Sequence, residues 1–127
     1  MRTYWPISLA DLKLADGGQI IDLSQRRAVA ATSGFAATLE TTDQDELDLM
    51  AALAASDVAE GKHAVVVTEN NATVIDDELG EVQLTGTATL NDIECILIAD
   101  VESQELSWFG IQELTELAAA LAAKGMS

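Results

Sequence analysis

The chain has 127 residues, 49% of them hydrophobic and only 4% aromatic, and its 22 Asp and Glu against 6 Lys and Arg give a formal net charge of −16. That length suits a single domain over residues 1–127, with a core of Leu, Ile, Val and Ala that needs neither metal nor disulfide. No apolar run approaches the roughly 20 residues that span a bilayer, and so negative a chain repels phosphate backbones, which argues against direct nucleic-acid binding.

Arg2 to Trp5 reads as a short strand stopped by Pro6. Ser8 is placed to cap a short helix lined by Leu9 and Leu12, with Asp11 as the reciprocal partner and Gly17-Gly18 as the stop. Ile20 to Leu23 suits a brief extended piece. Residues 26–39 are rich in small side chains, which fit a weak strand or a packed loop, with Gly34 as a turn. The next element is clearer. Thr41, Thr42 and Asp43 offer caps, and Asp43, Asp45 and Glu46 put negative charge at the positive end of a helix dipole. Leu47, Met50, Ala51, Ala54 and Val58 then recur at helical spacing up to a stop at Gly61.

Ala64 to Thr68 is a β-branched run without polar alternation, which predicts a strand covered on both faces. Glu69-Asn70-Asn71 reads as a hairpin turn into a strand stub at Thr73 to Ile75, followed by the acidic loop Asp76-Asp77-Glu78. Val82, Leu84, Thr87 and Thr89 alternate about Gly86, where a bulge or bend is expected. Ile93 to Ala99 is the second apolar run, predicted to lie beside the first at the centre of a sheet. Leu106 to Ile111 reads as a last strand, and Glu113 to Lys124 as an amphipathic helix with Leu114, Leu117, Ala118 and Leu121 inward. The sum is an α+β fold, a mixed sandwich with about three helices on a four- to six-stranded sheet.

Met1-Arg2-Thr3-Tyr4-Trp5-Pro6-Ile7-Ser8-Leu9, Gly34-Phe35-Ala36-Ala37-Thr38 before an acidic helix, and Trp108-Phe109-Gly110-Ile111-Gln112-Glu113-Leu114 occur in that order. Together they resemble the motifs of a small actinobacterial family of acidic proteins classed as a domain of unknown function. The resemblance implies a cytosolic protein and brings no activity with it. Relatives carry His or Arg before Thr32 where this chain has small residues, and the loops about its second apolar strand are shorter, so chemistry in those places would not carry over.

Signatures of catalysis are sparse. His63, the one histidine, stands just past a helix end, where a cation is favourable without any catalytic role. Cys95, the one cysteine, sits inside an apolar run as a small hydrophobe beside Glu94, a poor setting for a thiolate. One Cys and one His make no structural zinc site, the acidic loops lack the calcium-loop spacing, and no glycine pattern cradles a nucleotide. No cofactor and no metal are expected. The N-terminus has neither the charged flank nor the apolar stretch of a signal peptide, and a cytoplasmic location follows.

The function these residues favour is a non-catalytic acidic interaction protein, docking onto a partner with a basic surface. The alternative is a small hydrolase or ligand-binding enzyme with a carboxylate-based site. Acidity by itself names no partner, because acidic surfaces are also soluble ones. The candidate binding residues are Trp108, Phe109, Gln112 and Glu113. Neighbours in a strand point to opposite faces. A sheet covered on both sides would bury both rings, which is the favoured expectation, whereas an open face would leave one ring for a partner.

Overall fold

The computed structural model describes residues 2–24, 26–58, 64–69, 71–100 and 105–123. Its elements run β1 (Arg2–Ile7), α1 (Leu9–Asp16), β2 (Ile21–Asp22), β3 (Arg27–Ala30), α2 (Ser33–Leu39), α3 (Gln44–Val58), β4 (Ala64–Glu69), β5 (Ala72–Asp76) and β6 (Glu81–Leu84). They continue through β7 (Thr87–Ala88), β8 (Ile93–Asp100), β9 (Glu105–Phe109) and α4 (Leu114–Ala123), with single 3₁₀ turns at Leu90–Asp92 and Ile111–Glu113. Seven strands form one antiparallel sheet in the order β5-β6-β3-β1-β4-β8-β9, while β2 and β7 pair separately. The fold is α+β as expected, with more strands and one more helix than the sequence reading allowed.

Side chains on β1, β4 and β8 alternate between two cores. Trp5, Ile7, Val66 and Ile96 belong to one, with Leu12 and Ala15 of α1, Ile21, Ala88, and Leu114 and Leu117 of α4. Tyr4, Val65, Val67 and Leu97 belong to the other, with Phe35 of α2 and Ala51, Ala52 and Ala55 of α3. The small residues of α3 let it lie close against the sheet, over β1, β3, β4 and β8. Covering on both sides is why the apolar runs at Ala64 and Ile93 carry no polar face, and the two strands are neighbours inside the sheet.

Several local expectations give way to the packing. Pro6 does not stop β1. It lies opposite Val65 of β4, and the β1–β3 register, Thr3–Ala30 and Tyr4–Val29, ends before it, where proline has no N–H for another rung. Residues 26–39 hold both a strand and a helix, and Gly34 is inside α2 and makes no turn. A Cβ there would collide with Asp77, so glycine is what lets α2 sit on the β5–β6 turn. Glu69 and Asn71 do not bracket a hairpin, because β4 and β5 lie far apart in the sheet and β5 pairs with β6. At Gly86, with φ +81°, the chain leaves the large sheet and β7 joins β2. The proposed stops at Gly61 and Gly125 lie outside the described residues.

Buried polar groups tie the layers together. The indole N–H of Trp5 donates to Thr68 Oγ1 at 2.9 Å, and Thr3 Oγ1 lies 3.1 Å from the same hydroxyl. Ser8 caps α1 through Asp11 N–H at 3.1 Å, and the Asp11 carboxylate pairs with Arg26 at 2.7 Å. Burial pushes the Asp11 carboxyl up, but Arg26, with the hydroxyl and backbone N–H of Ser8, outweighs it and holds it below its ordinary value. Arg26 also lies 5.5 Å over the Trp5 ring, and Arg27 pairs with Glu81 at 2.6 Å, so the one basic pair is split between two carboxylates.

Ile96 is fully buried on β8, whereas Val74 on β5 is 43% exposed. Ile96→Asp would bury an unpaired charge and should cost about 4 kcal/mol or more, while Val74→Asp should cost under about 0.5 kcal/mol. Urea denaturation of both variants checks this; equal midpoints would remove β8 from the core.

Candidate functional site

The residues singled out in the sequence gather at one edge of the sheet. β9 is the outer strand beyond β8, and its register runs without a break from Ile96–Phe109 to Asp100–Glu105. Phe109 is half-buried and packs with Ile98 and Ile111 against the core that holds Trp5. Trp108 lies opposite Leu97 and points to the other face, where it is 53% exposed. The expectation that both rings are covered is therefore wrong for Trp108. The reason is the reach of α3, which lies over β1, β3, β4 and β8 and leaves β9 beyond it.

Gln112 and Glu113 are exposed in the 3₁₀ turn that leads into α4. The Glu113 carboxylate accepts the Gly110 N–H at 3.2 Å, closing the turn as a capping group. Of the four candidate residues, Trp108, Gln112 and Glu113 are thus open to solvent, and Phe109 serves the core. The opposite edge differs. β5 exposes Val74, Ile75 and Leu79 of the following turn, but its pairing with β6 is interrupted by a bulge between Val74 and Asp76.

A second constellation, absent from the sequence reading, lies on the α3 face at the start of β1. The Tyr4 hydroxyl donates to Asp48 Oδ1, and Gln44 Nε2 donates to the same oxygen at 2.9 Å. Asp48 is 6% exposed among Leu47, Ala51 and Ala52, so those two donors take the place of its water. Burial first, and then the bond to Asp48, raise the Tyr4 phenol well above its ordinary value. The Arg2 guanidinium lies 5.8 Å over the Tyr4 ring, with its Nε 3.5 Å from Glu94. Burial opposes its charge, yet Tyr4, Asp48, Glu94 and Cys95 together raise it above the usual guanidinium range. A cavity of about 260 Å³ opens here, lined by Arg2, Tyr4, Ala30, Ala31, Thr32 and Gln44.

One signal for this site was legible. Asp48 sits one turn before Ala51 and Ala52 and beside Leu47, in line with the apolar stripe of the helix, and a buried carboxylate there needs donors. Which donor it finds depends on β1 running beneath α3, which only the sheet order reveals.

Cys95 borders the same region and is partly buried. Burial pushes its thiol up to about 11, Glu94 and Asp48 add to this, and Arg2 opposes it, so the thiolate needed for nucleophilic work is scarce at neutral pH. His63 lies outside the described residues. The acidic loops have local roles. Asp43 Oδ1 accepts the Asp45 N–H at 2.9 Å at the start of α3, and Asp76 Oδ1 accepts the Leu79 N–H at 3.1 Å. Among the described residues, no three His, Cys, Asp or Glu converge as a metal set. No protein-family model, curated protein or solved structure matches the chain.

Tyr4 is the only tyrosine, so ultraviolet absorbance follows its phenol alone. A folded value raised above the unfolded one of about 10 adds stability that is complete below that pH and is lost as pH rises through the folded value. The phenol should therefore stay protonated past pH of about 10 and ionise only as the protein unfolds. Reversible titration near the ordinary value, with the fold intact, would contradict the Tyr4–Asp48 bond.

Proposed function

We propose that the chain is a non-catalytic interaction protein that accepts an extended, basic segment of a partner protein along the free edge of β9. The observation that carries this reading is an unbroken edge strand with an exposed tryptophan beside it. Edge strands offer a row of unpaired N–H and C=O groups, and natural proteins usually blunt them with bulges, proline or lysine. β5 is blunted by its bulge, whereas Glu105 to Phe109 contains no proline, lysine or bulge. An added strand would gain main-chain hydrogen bonds from β9, and its side chains would fall alternately on the two faces.

Charge selects the partner. At −16 the chain attracts cationic segments over a distance set by the Debye length and repels acidic ones. A lysine or arginine on the Trp108 side of the added strand would lie against the indole face as a cation–π pair. Gln112 and Glu113 would flank the end of that strand, Glu113 by its charge. Phe109 would hold β9 to the core and take no direct part. The proposal is of a cytoplasmic protein, and the kinship with the actinobacterial acidic family belongs to it without supplying an activity. Among the described residues, no helix is long and apolar enough to cross a membrane. Among the described residues Asp48 is the one buried carboxylate an enzymatic alternative would use, and its Oδ1 is already taken by Tyr4 and Gln44.

A short peptide alternating lysine with valine, and its counterpart with glutamate for lysine, test this directly. The lysine peptide should shift the Trp108 emission and the amide resonances of β9, weaken steeply as salt is added, and bind roughly tenfold less tightly to Trp108→Ala. Val74→Asp, at the other edge, should bind as wild type does. Binding that spreads over the acidic surface and ignores Trp108→Ala would overturn the proposal.

A further inference from the structure

We propose that the cavity between β1, the β3–α2 connection and the first turn of α3 binds a small zwitterionic amino carboxylate. Its carboxylate would sit on Arg2 and its ammonium group against Gln44. This site lies apart from the β9 edge and does not depend on it.

Most polar groups around the cavity are already engaged. The Tyr4 hydroxyl is committed to Asp48, so Tyr4 offers the cavity its ring. The Thr32 hydroxyl donates to Asp77 O at 2.6 Å and accepts the Phe35 N–H at 3.3 Å. Gln44 spends its Nε2 on Asp48, which leaves Oε1 as the acceptor it can offer. Arg2 Nε is covered and lies 3.5 Å from Glu94, while the Arg2 side chain as a whole is 37% exposed and lines the cavity. What remains is a cationic donor and a neutral acceptor across a small apolar floor of Tyr4, Ala30 and Ala31. A guanidinium matches a carboxylate, which its two terminal nitrogens can hold by parallel bonds.

Size and charge narrow the class. About 260 Å³ is just under the range of ordinary small-molecule pockets, so the occupant is small. A phosphate dianion would meet Glu94 and Asp48 close to Arg2, inside a chain of net charge −16. A simple monocarboxylate gains Arg2 but suffers the same field. A zwitterion carries no net charge into it, and its ammonium end is drawn to the acceptor and the acidic surroundings that repel the others.

Nitrogen-15 spectra of the full chain, titrated with the standard L-amino acids and in parallel with acetate, lactate and inorganic phosphate, provide the test. At least one amino acid should shift the Arg2 Nε–Hε and Gln44 side-chain amide signals saturably in the millimolar range. Arg2→Gln should abolish the effect. Ala31→Phe, at an exposed position on the rim, should fill the cavity and abolish it too while leaving Arg2 in place. Trp108→Ala should change nothing. The proposal fails if no amino acid produces saturable shifts, if acetate or phosphate binds as well as the best amino acid, or if Arg2→Gln still binds it.

Discussion

Tyr4 and Trp5 are neighbours on a central strand, and each carries a polar tip into a different core. Extended geometry sends them to opposite faces, and both are almost completely buried. Burying a phenol or an indole N–H without a partner would cost a few kcal/mol, so each face must supply an acceptor at one place. Asp48 on α3 is the acceptor for Tyr4, and Thr68 on β4 is the acceptor for Trp5. Those two bonds fix where α3 lies over the sheet and how β1 registers against β4. The Arg26–Asp11 pair over the Trp5 ring then closes the layer formed by α1.

From that arrangement the uneven covering of the sheet follows. One face meets α1, α4 and the β2–β7 ribbon, and the other meets α2 and α3. Because α3 is held over β1 and its neighbours by Asp48, the outermost strand on that side keeps an open flank, and Trp108 stands on it. The same anchoring leaves a gap at the other end of β1, where Arg2 faces the first turn of α3. Edge and cavity are thus two consequences of one fixed helix position. The occupants proposed for them differ, a basic strand and a small zwitterion.

Much of this fold was legible, and the limits have physical causes. The runs at Ala64 and Ile93 were readable because burial on both faces erases polar alternation, and α3 and α4 because their apolar stripes keep helical spacing. Residues 26–39 were opaque because alanine, serine, threonine and glycine are small enough for strand or helix. Their structure is set by contacts with Gly80 and Asp77, far away in the sequence. Pro6 misled because a proline is tolerated in a central strand where one ladder has already ended. At the edge site the opposed directions of Trp108 and Phe109 were legible, but which ring is exposed was not, since that depends on how far α3 reaches. The Arg2–Tyr4–Asp48–Gln44 cluster joins residues more than forty positions apart, and no local pattern encodes that.

Amide hydrogen exchange followed residue by residue is the most direct test of a sheet sealed at its centre and open at β9. Strands β1, β4 and β8 should exchange only through global unfolding, whereas alternate amides of β9 should exchange close to the rate of a free peptide, since only every second one faces β8. Uniform protection along β9 would mean that its edge is already covered, and fast exchange in β4 would mean that the two cores do not meet on it. Either result would contradict the structure on which both functional proposals stand.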